Sequence, residues 1–264
     1  MNRSVSGLAL IALGTCLSWG LHAQSAGFRG TLALSSQLVD RGQAITPDTP
    51  ILQGAVSWTS PSGWSLGLLA GTELRTPGHL AEASAQASRY WPLSGAWQMQ
   101  TDLLYYRYSG SGRMRSFDRA EAGVHWMYRD VLTFGLSAVR VLGVEDRRVR
   151  GAADLDFHWP LPGHFYLSVG AGIAQAPAGT YRSYGHADRC YGPESPDSCG
   201  AYEYTNPYYR HGSQGAYRYG HAGLIWAMGD WRAELQRIMT DPDMPRERGV
   251  PRAAPWVATV SWSF

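Results

Sequence analysis

Apolar and polar residues alternate in short stretches over most of the chain. In the stretch 154–159, Leu, Phe and Trp alternate with Asp, Asp and His, and the stretch 231–236 follows the same rule. Successive side chains of a β-strand point to opposite faces, so this period of two predicts strands with one apolar and one polar face. After residue 23 no apolar run reaches the roughly 20 residues of a transmembrane helix.

The predicted strands are joined by short turns and by long polar loops in strict alternation. The short turns contain Pro, Gly or Asp, which supply the backbone angles of tight turns; they are 60–63, 92–95, 129–130, 160–163 and 228–230. The long loops are 41–50, 75–79, 109–116, 143–148, 174–213 and 240–252. This order predicts an all-β fold, a transmembrane antiparallel up-and-down β-barrel of about twelve strands, as in outer-membrane barrels. A soluble β-sandwich would not be expected to alternate short turns and long loops so strictly.

Aromatic residues gather at the predicted strand ends beside the short turns. Amphipathic rings prefer the membrane–water interface, so they predict an aromatic girdle on the periplasmic side. The aromatic residues of a sandwich core would instead be scattered along the strands. The members of the set are Trp58, Trp64, Trp91, Trp97, Trp126, Phe134, Trp159, Phe165, Trp226, Trp231, Trp262 and Phe264.

The last nine residues, 256–264, alternate fully and end on a Phe. An open strand edge cannot lie in lipid, so this stretch is predicted to close the barrel against the first strand, near residues 28–39. Its terminal Phe264 resembles the C-terminal signature that outer-membrane barrels present to the barrel assembly machinery.

Composition and the N-terminus agree with export. The formal net charge is +2 and 44% of residues are hydrophobic, which excludes a disordered chain and an obvious nucleic-acid binder. A basic start, the apolar run 7–21 and the small Ala23 predict a signal peptide over 1–23, followed by a barrel domain over 24–264. A transmembrane helix is disfavoured because the run is short, and a lipoprotein signal at Cys16 because Thr15 precedes it. We therefore expect the outer membrane of a Gram-negative bacterium.

The N-terminal part of the predicted barrel carries a recognisable motif. The stretch 35–42 reads Ser-Ser-Gln-Leu-Val-Asp-Arg-Gly, and Pro-Ile-Leu-Gln-Gly follows at 50–54 and Ser-Gly-Trp at 62–64. Together they resemble the opening of the TorF-type porin family over roughly residues 31–72. The residues before the Arg-Gly pair depart from the family, which more often has an acidic residue and an aromatic there. The resemblance implies an outer-membrane barrel with a transport role and no assigned catalytic residue.

Charged residues on the polar faces are expected to line the lumen. Both signs occur in similar amounts, so this mixed-charge set favours neither cations nor anions. A twelve-stranded barrel has room for a small aqueous channel, although ion pairs that plug the lumen remain an alternative. The pore-lining candidates are Arg29, Arg41, Glu73, Arg75, Glu82, Asp102, Glu121, His125, Arg150, Asp154, Asp156, His158, Arg218, Arg232 and Glu234.

The sequence thus predicts a porin-like channel for passive passage of small hydrophilic solutes. The expected partners are these solutes, the barrel assembly machinery, outer-membrane lipid and lipopolysaccharide. Arg107 and Arg140 share the apolar parity near long loops, where lipopolysaccharide phosphates would lie. No nucleic acid, cofactor, metal or catalytic residue is expected.

An enzyme is the alternative interpretation. His211 and Ser213 resemble the His-x-Ser of outer-membrane phospholipases and lipid A deacylases, and two residues that far apart share a strand face. Gln214 replaces the Asn of the phospholipase stretch, and the pair has the parity of the polar face, which points away from lipid.

Cys190 and Cys199 are predicted to form a disulfide in the Tyr-rich loop 174–213, because an exported protein meets oxidising conditions. The bridge would limit the conformational entropy of a long loop. A metal site with His186 or Asp188 is the alternative. We expect a thiol reagent to label neither cysteine of the exported protein until reductant is added, and the Cys190→Ala variant to be labelled at Cys199 without reductant. Labelling of both cysteines in untreated wild-type protein would contradict the disulfide.

Overall fold

The computed structural model describes residues 26–109, 117–142, 148–175, 215–241 and 253–264. Within them, twelve long antiparallel strands close into one barrel, which confirms the predicted fold. The strands, in chain order, are β1 (Gly27–Ser35), β2 (Val39–Asp40), β3 (Gln43–Ala44), β4 (Ile51–Thr59), β5 (Trp64–Glu73), β6 (Leu80–Pro92), β7 (Trp97–Tyr108), β8 (Arg119–Tyr128), β9 (Leu132–Val141), β10 (Val149–Leu161), β11 (Phe165–Gln175), β12 (Ala216–Met228), β13 (Trp231–Thr240) and β14 (Trp256–Ser263). The short strands β2 and β3 pair only with each other.

The two faces of the wall follow the predicted alternation. In the middle of β7, Leu103 is 64% exposed on the outside, whereas its neighbour Asp102 is 6% exposed towards the lumen. The outer face carries Leu, Val, Ile and aromatic side chains, whereas the inner face carries most of the charged and polar ones, beside a few buried apolar residues such as Ile51 and Met127. An apolar exterior around a polar interior is the arrangement that suits a barrel solvated by lipid.

No helix in the described ranges is long and apolar enough to cross a membrane.

The barrel closes where β1 meets β14. The backbone N–H of Gly30 donates to the carbonyl of Phe264 at 2.8 Å, and the N–H of Phe264 donates back at 3.0 Å. The ring of Phe264 lies directly over Gly30, so any side chain at residue 30 would collide with it. Phe264 also stacks on Trp262, with 4.8 Å between ring centroids. The closing strand is therefore the one that the sequence predicts, and the aromatic residues beside the short turns face outwards.

One predicted strand boundary is wrong. The sequence predicts a first strand that extends to about residue 39, but β1 ends at Ser35, and Leu38, which is 7% exposed, lies inside the barrel. The chain turns into the lumen after Ser35 instead of forming an external loop at 41–50. We call residues 36–50, which contain β2 and β3, the lumenal hairpin. The barrel end that carries the long loops is the long-loop rim, and the other end is the short-turn rim.

Candidate functional site in the barrel lumen

An apolar cluster anchors the base of the lumenal hairpin to the inside of the wall. Leu38 and Ile45 face each other across the hairpin, and the N–H of Ile45 donates to the carbonyl of Leu38 at 2.9 Å. Burial of these side chains, worth about 1.5–3 kcal/mol for a large aliphatic residue, explains why this segment folds into the lumen instead of lying in the water outside the barrel. The cluster consists of Leu38, Ile45, Ile51, Ala81, Tyr106 and Tyr108.

The tip of the hairpin reaches the opposite wall. Arg41 and Gly42 have positive φ angles of 44° and 75°, which form a two-residue turn of the kind that joins tight hairpins. The hydroxyl of Thr240 in β13 donates to the carbonyl of Gly42 at 2.6 Å. A Cβ at residue 42 would lie 2.7 Å from that hydroxyl and 2.9 Å from the Cβ of Tyr219 in β12. The hairpin therefore crosses the lumen from β4, β6 and β7 to β12 and β13.

The guanidinium of Arg41 is held by three strands. Its Nη2 lies 2.5 Å from Oε1 of Glu121 in β8 and 3.0 Å from the hydroxyl of Ser137 in β9. The same nitrogen lies 3.8 Å from Oδ2 of Asp154 in β10, and the hydroxyl of Tyr219 donates to the other oxygen of that carboxylate. Burial lowers the pKa of Arg41, but the surrounding carboxylates outweigh it and raise the pKa well above its ordinary value. The guanidinium is thus a permanent cation in the lumen.

A second ion pair lies beside the first. Nη1 of Arg119 in β8 lies 2.9 Å from Oδ2 of Asp40, and its Nε lies 3.4 Å from Glu121. The guanidinium of Arg119 also lies over the ring of Tyr106 at 4.1 Å. Asp40 of the hairpin therefore pairs with Arg119 of β8, and Arg41 pairs with Glu121 of the same strand. These two ion pairs fix the hairpin against β8.

A cavity of about 110 Å³ lies between the hairpin and the short-turn rim. A buried water needs roughly 10–15 Å³ of such space, so the cavity has room for several. His125 and His221 both line it. Nε2 of His125 lies 2.9 Å from Asp102, and Nε2 of His221 lies 3.7 Å from Asp156. Charged and polar side chains thus point into the space beneath the hairpin, beside apolar ones, and they can bind water or a small hydrophilic molecule.

Most of the predicted pore-lining residues occupy inward-facing wall positions. Arg41 also points into the lumen, but from the hairpin. The inward-facing wall residues are Arg29, Glu73, Glu82, Asp102, Glu121, His125, Arg150, Asp154, Asp156, His158, Arg232 and Glu234.

Two of the pore-lining predictions need correction. Arg218 faces outwards, because it has the parity of the exposed Leu224 and pairs with the exposed Ile173 of β11. Arg75 is exposed in the β5–β6 loop, beyond the strands of the wall.

Other predicted sites lie outside the described residues. They are the cysteines Cys190 and Cys199, the alternative catalytic pair His211 and Ser213, and the signal peptide 1–23.

Asp40, Arg119 and His221 also lie in the lumen, although they are not among the pore-lining candidates. Arg119 is two positions before Glu121, and His221 two after Tyr219, so strand parity could have found both. Asp40 could not be found in this way, because it belongs to the hairpin that was expected outside the barrel.

The outward-facing arginines lie near strand ends. Arg107, Arg140, Arg218 and Arg237 are all exposed, within four residues of the long-loop rim. Arg89 lies near the opposite rim, with its guanidinium 3.9 Å from the ring centroid of Trp91. A charge on the lipid face is costly at the bilayer midplane and tolerated near the interfaces, so these positions agree with a membrane-embedded wall.

The pairing of the hairpin with β8 can be tested with a double-mutant cycle. Arg41→Gln and Glu121→Gln should each destabilise the barrel towards urea, because each leaves a buried charge without its main partner. The side chains are 13% and 6% exposed, and the double variant should lose less than the sum, with a coupling of about 0.5–3 kcal/mol. Pairing Arg41→Gln with Glu73→Gln serves as the control, since the Glu73 carboxylate lies beside Thr76. Equal coupling in both cycles would contradict the contact.

Comparisons with known proteins support the fold and go no further. No family model and no curated protein matches the sequence. The NanC porin in a rhombohedral crystal form matches with a TM-score of 0.51 and 12% identity, over 90% of this chain and 99% of that chain. The KdgM porin matches with a TM-score of 0.50 and 7% identity, over 89% and 98%. KdgM in complex with disordered oligogalacturonate matches with a TM-score of 0.51 and 8% identity over the same shares. The chain therefore has the barrel fold of outer-membrane porins.

Proposed function

We propose that this protein is an outer-membrane, porin-like channel for the passive passage of small hydrophilic solutes. The observation that carries the proposal is a closed barrel with an apolar exterior and a lumen of charged and polar side chains. A barrel that served only as an anchor would have no need for so many inward charges, which are costly to bury unless they are paired or hydrated. The porin fold of NanC and KdgM agrees with this function.

We further propose that the lumenal hairpin is the constriction of the channel. It crosses the lumen and is anchored at both ends, by the apolar cluster and by the contacts of Gly42. A solute must therefore pass beside it or displace it. The hairpin would limit the size of what crosses, and the cavity beneath it would form the periplasmic part of the path.

The hairpin also bears on the resemblance to TorF-type porins. The Arg-Gly pair of the motif, Arg41 and Gly42, forms the tip of the hairpin. The Gln of the second motif, Gln53, donates to the buried carboxylate of Glu82 at 2.8 Å. We propose that the chain belongs with the TorF-type porins and that this motif encodes a lumenal constriction.

Conductance across a planar bilayer tests the channel and its constriction. Wild-type protein should give reproducible openings. A variant in which a four-residue Gly/Ser linker replaces residues 37–49 should conduct several-fold more, because the linker is too short to cross the lumen. Heat-modifiable migration in gels verifies that both barrels are folded.

A matched control replaces residues 75–78 of the exposed β5–β6 loop by a linker of equal length, and its conductance should stay at the wild-type level. If folded wild-type and folded hairpin-replaced protein both fail to open, the channel proposal is wrong. If both open with equal conductance, the barrel conducts but the hairpin does not constrict it.

Lipopolysaccharide is proposed as a partner of the long-loop rim. Arg107 and Arg140 are exposed on the outer face near this rim, where guanidinium groups can bind phosphates in bidentate fashion. The double variant with Ala at both positions should copurify with at least twofold less lipopolysaccharide than wild type, as measured by bound phosphate. The Arg129→Ala control, in a turn of the short-turn rim, should retain the wild-type amount. An unchanged amount in the double variant would contradict the proposal.

A further inference from the structure

The wall site that holds Arg41 is built to receive a guanidinium group. Both oxygens of Glu121 accept from it, at 2.5 and 3.3 Å, and the hydroxyl of Ser137 accepts at 3.0 Å. Asp154 adds a second carboxylate, which is oriented by the hydroxyl of Tyr219. Two carboxylates and a hydroxyl converge on one planar cation, and this two-point contact with Glu121 is the fork-like geometry of strong guanidinium recognition.

The wall supplies every one of these groups, whereas the cation comes from the hairpin. Glu121, Ser137, Asp154 and Tyr219 belong to four different long strands, β8, β9, β10 and β12, which the closed barrel fixes in place. Arg41 belongs to a two-residue turn of a separate hairpin. The site is therefore formed by the barrel and occupied by a side chain of a segment that the barrel does not need for closure.

The charges of the surrounding wall favour cations as well. The inward-facing carboxylates of the described long strands outnumber the inward-facing arginines of those strands by seven to four. The carboxylates are Glu73, Glu82, Asp102, Glu121, Asp154, Asp156 and Glu234, and the arginines are Arg29, Arg119, Arg150 and Arg232. The balance differs from the sequence-based expectation of equal signs partly because Arg218 and Arg75 do not face the lumen. Acidic side chains around a pore attract cations and repel anions.

We propose that the site formed by Glu121, Ser137, Asp154 and Tyr219 recognises small guanidinium or ammonium solutes, which compete with Arg41 for the same carboxylates. Arg41 then acts as an internal ligand that keeps the site filled until a cationic solute replaces it. The role of this site in passage rests on the proposed channel function, whereas binding to it does not. A cation-preferring lumen follows from the same charges.

Binding is tested first, with probes that match the side chain being replaced. Arg41→Ala removes the internal ligand, and methylguanidinium has the size and charge of the missing group. Methylguanidinium at millimolar concentration should raise the Tm of the folded variant in a saturable manner, because a ligand that binds only the native state stabilises it. Methylurea, a neutral molecule of the same shape, should not raise it.

Control variants localise the effect. In the Arg41→Ala/Glu121→Gln variant, the affinity for methylguanidinium should fall at least tenfold, whereas Arg41→Ala/Glu73→Gln should keep it. Wild-type protein should also bind at least tenfold more weakly, since Arg41 fills its site. Arg41→Gln, which retains most of the side-chain volume, is measured in parallel and carries the test if the Ala variant does not fold. Equal Tm shifts with methylguanidinium and methylurea, or in the presence and absence of Glu121, would overturn the proposal.

Conductance separates this inference from the channel function. Arg41→Ala protein should pass potassium in preference to chloride, and methylguanidinium should reduce its current more than methylurea does. Openings without cation preference and without block would refute the cation site and leave the channel intact. A Tm shift with no openings in any variant would refute the channel and leave the binding site.

Discussion

The structure depends on one constraint, that no backbone N–H or C=O group can be left without a partner in lipid. A sheet meets this constraint only when its first and last strands pair, since an open edge would expose a row of such groups. In this protein β1 and β14 provide the pairing, and the mutual hydrogen bonds of Gly30 and Phe264 extend it to the short-turn rim. Closure then forces each strand to present one face to lipid and the other to the lumen. The alternation of the whole sequence follows from that requirement.

The same constraint creates the problem that the lumenal hairpin solves. Polar side chains excluded from the lipid face accumulate inside, where charges must be paired or hydrated. Glu121 and Arg119 meet this need partly with each other and partly with Arg41 and Asp40 of the hairpin. The apolar side chains of Leu38 and Ile45 supply the remaining contacts. The hairpin is thus a separate two-stranded unit inside the barrel, held by burial of apolar side chains at its base and by ion pairs at its tip.

In the proposed channel, this arrangement links stability to passage. The ion pairs that hold the tip of the hairpin would also narrow the path, so an event that weakens them would release the tip from β8. Removal of one partner from a buried pair costs about 3–5 kcal/mol, mostly because the other charge is left unpaired. A cationic solute in the place of Arg41 would avoid that penalty at Glu121, since its carboxylate would keep a partner throughout. Under the proposed recognition of cations, exchange of one cation for another would therefore free the tip of the hairpin at a lower cost than breaking its contacts.

The sequence by itself determined the barrel. Strand number, the inward or outward direction of most side chains, the aromatic girdle and the closing strand all follow from a period of two and from turn residues, which are local properties. Arg218 was misassigned only because its parity was not followed from Leu224. The hairpin was different: the stretch 36–50 looks like any polar loop, and nothing local states whether such a loop lies outside or inside the barrel. Only the tertiary structure decided this, because the partners of Asp40, Arg41 and Leu38 are far away in the chain and meet them only once the barrel has closed.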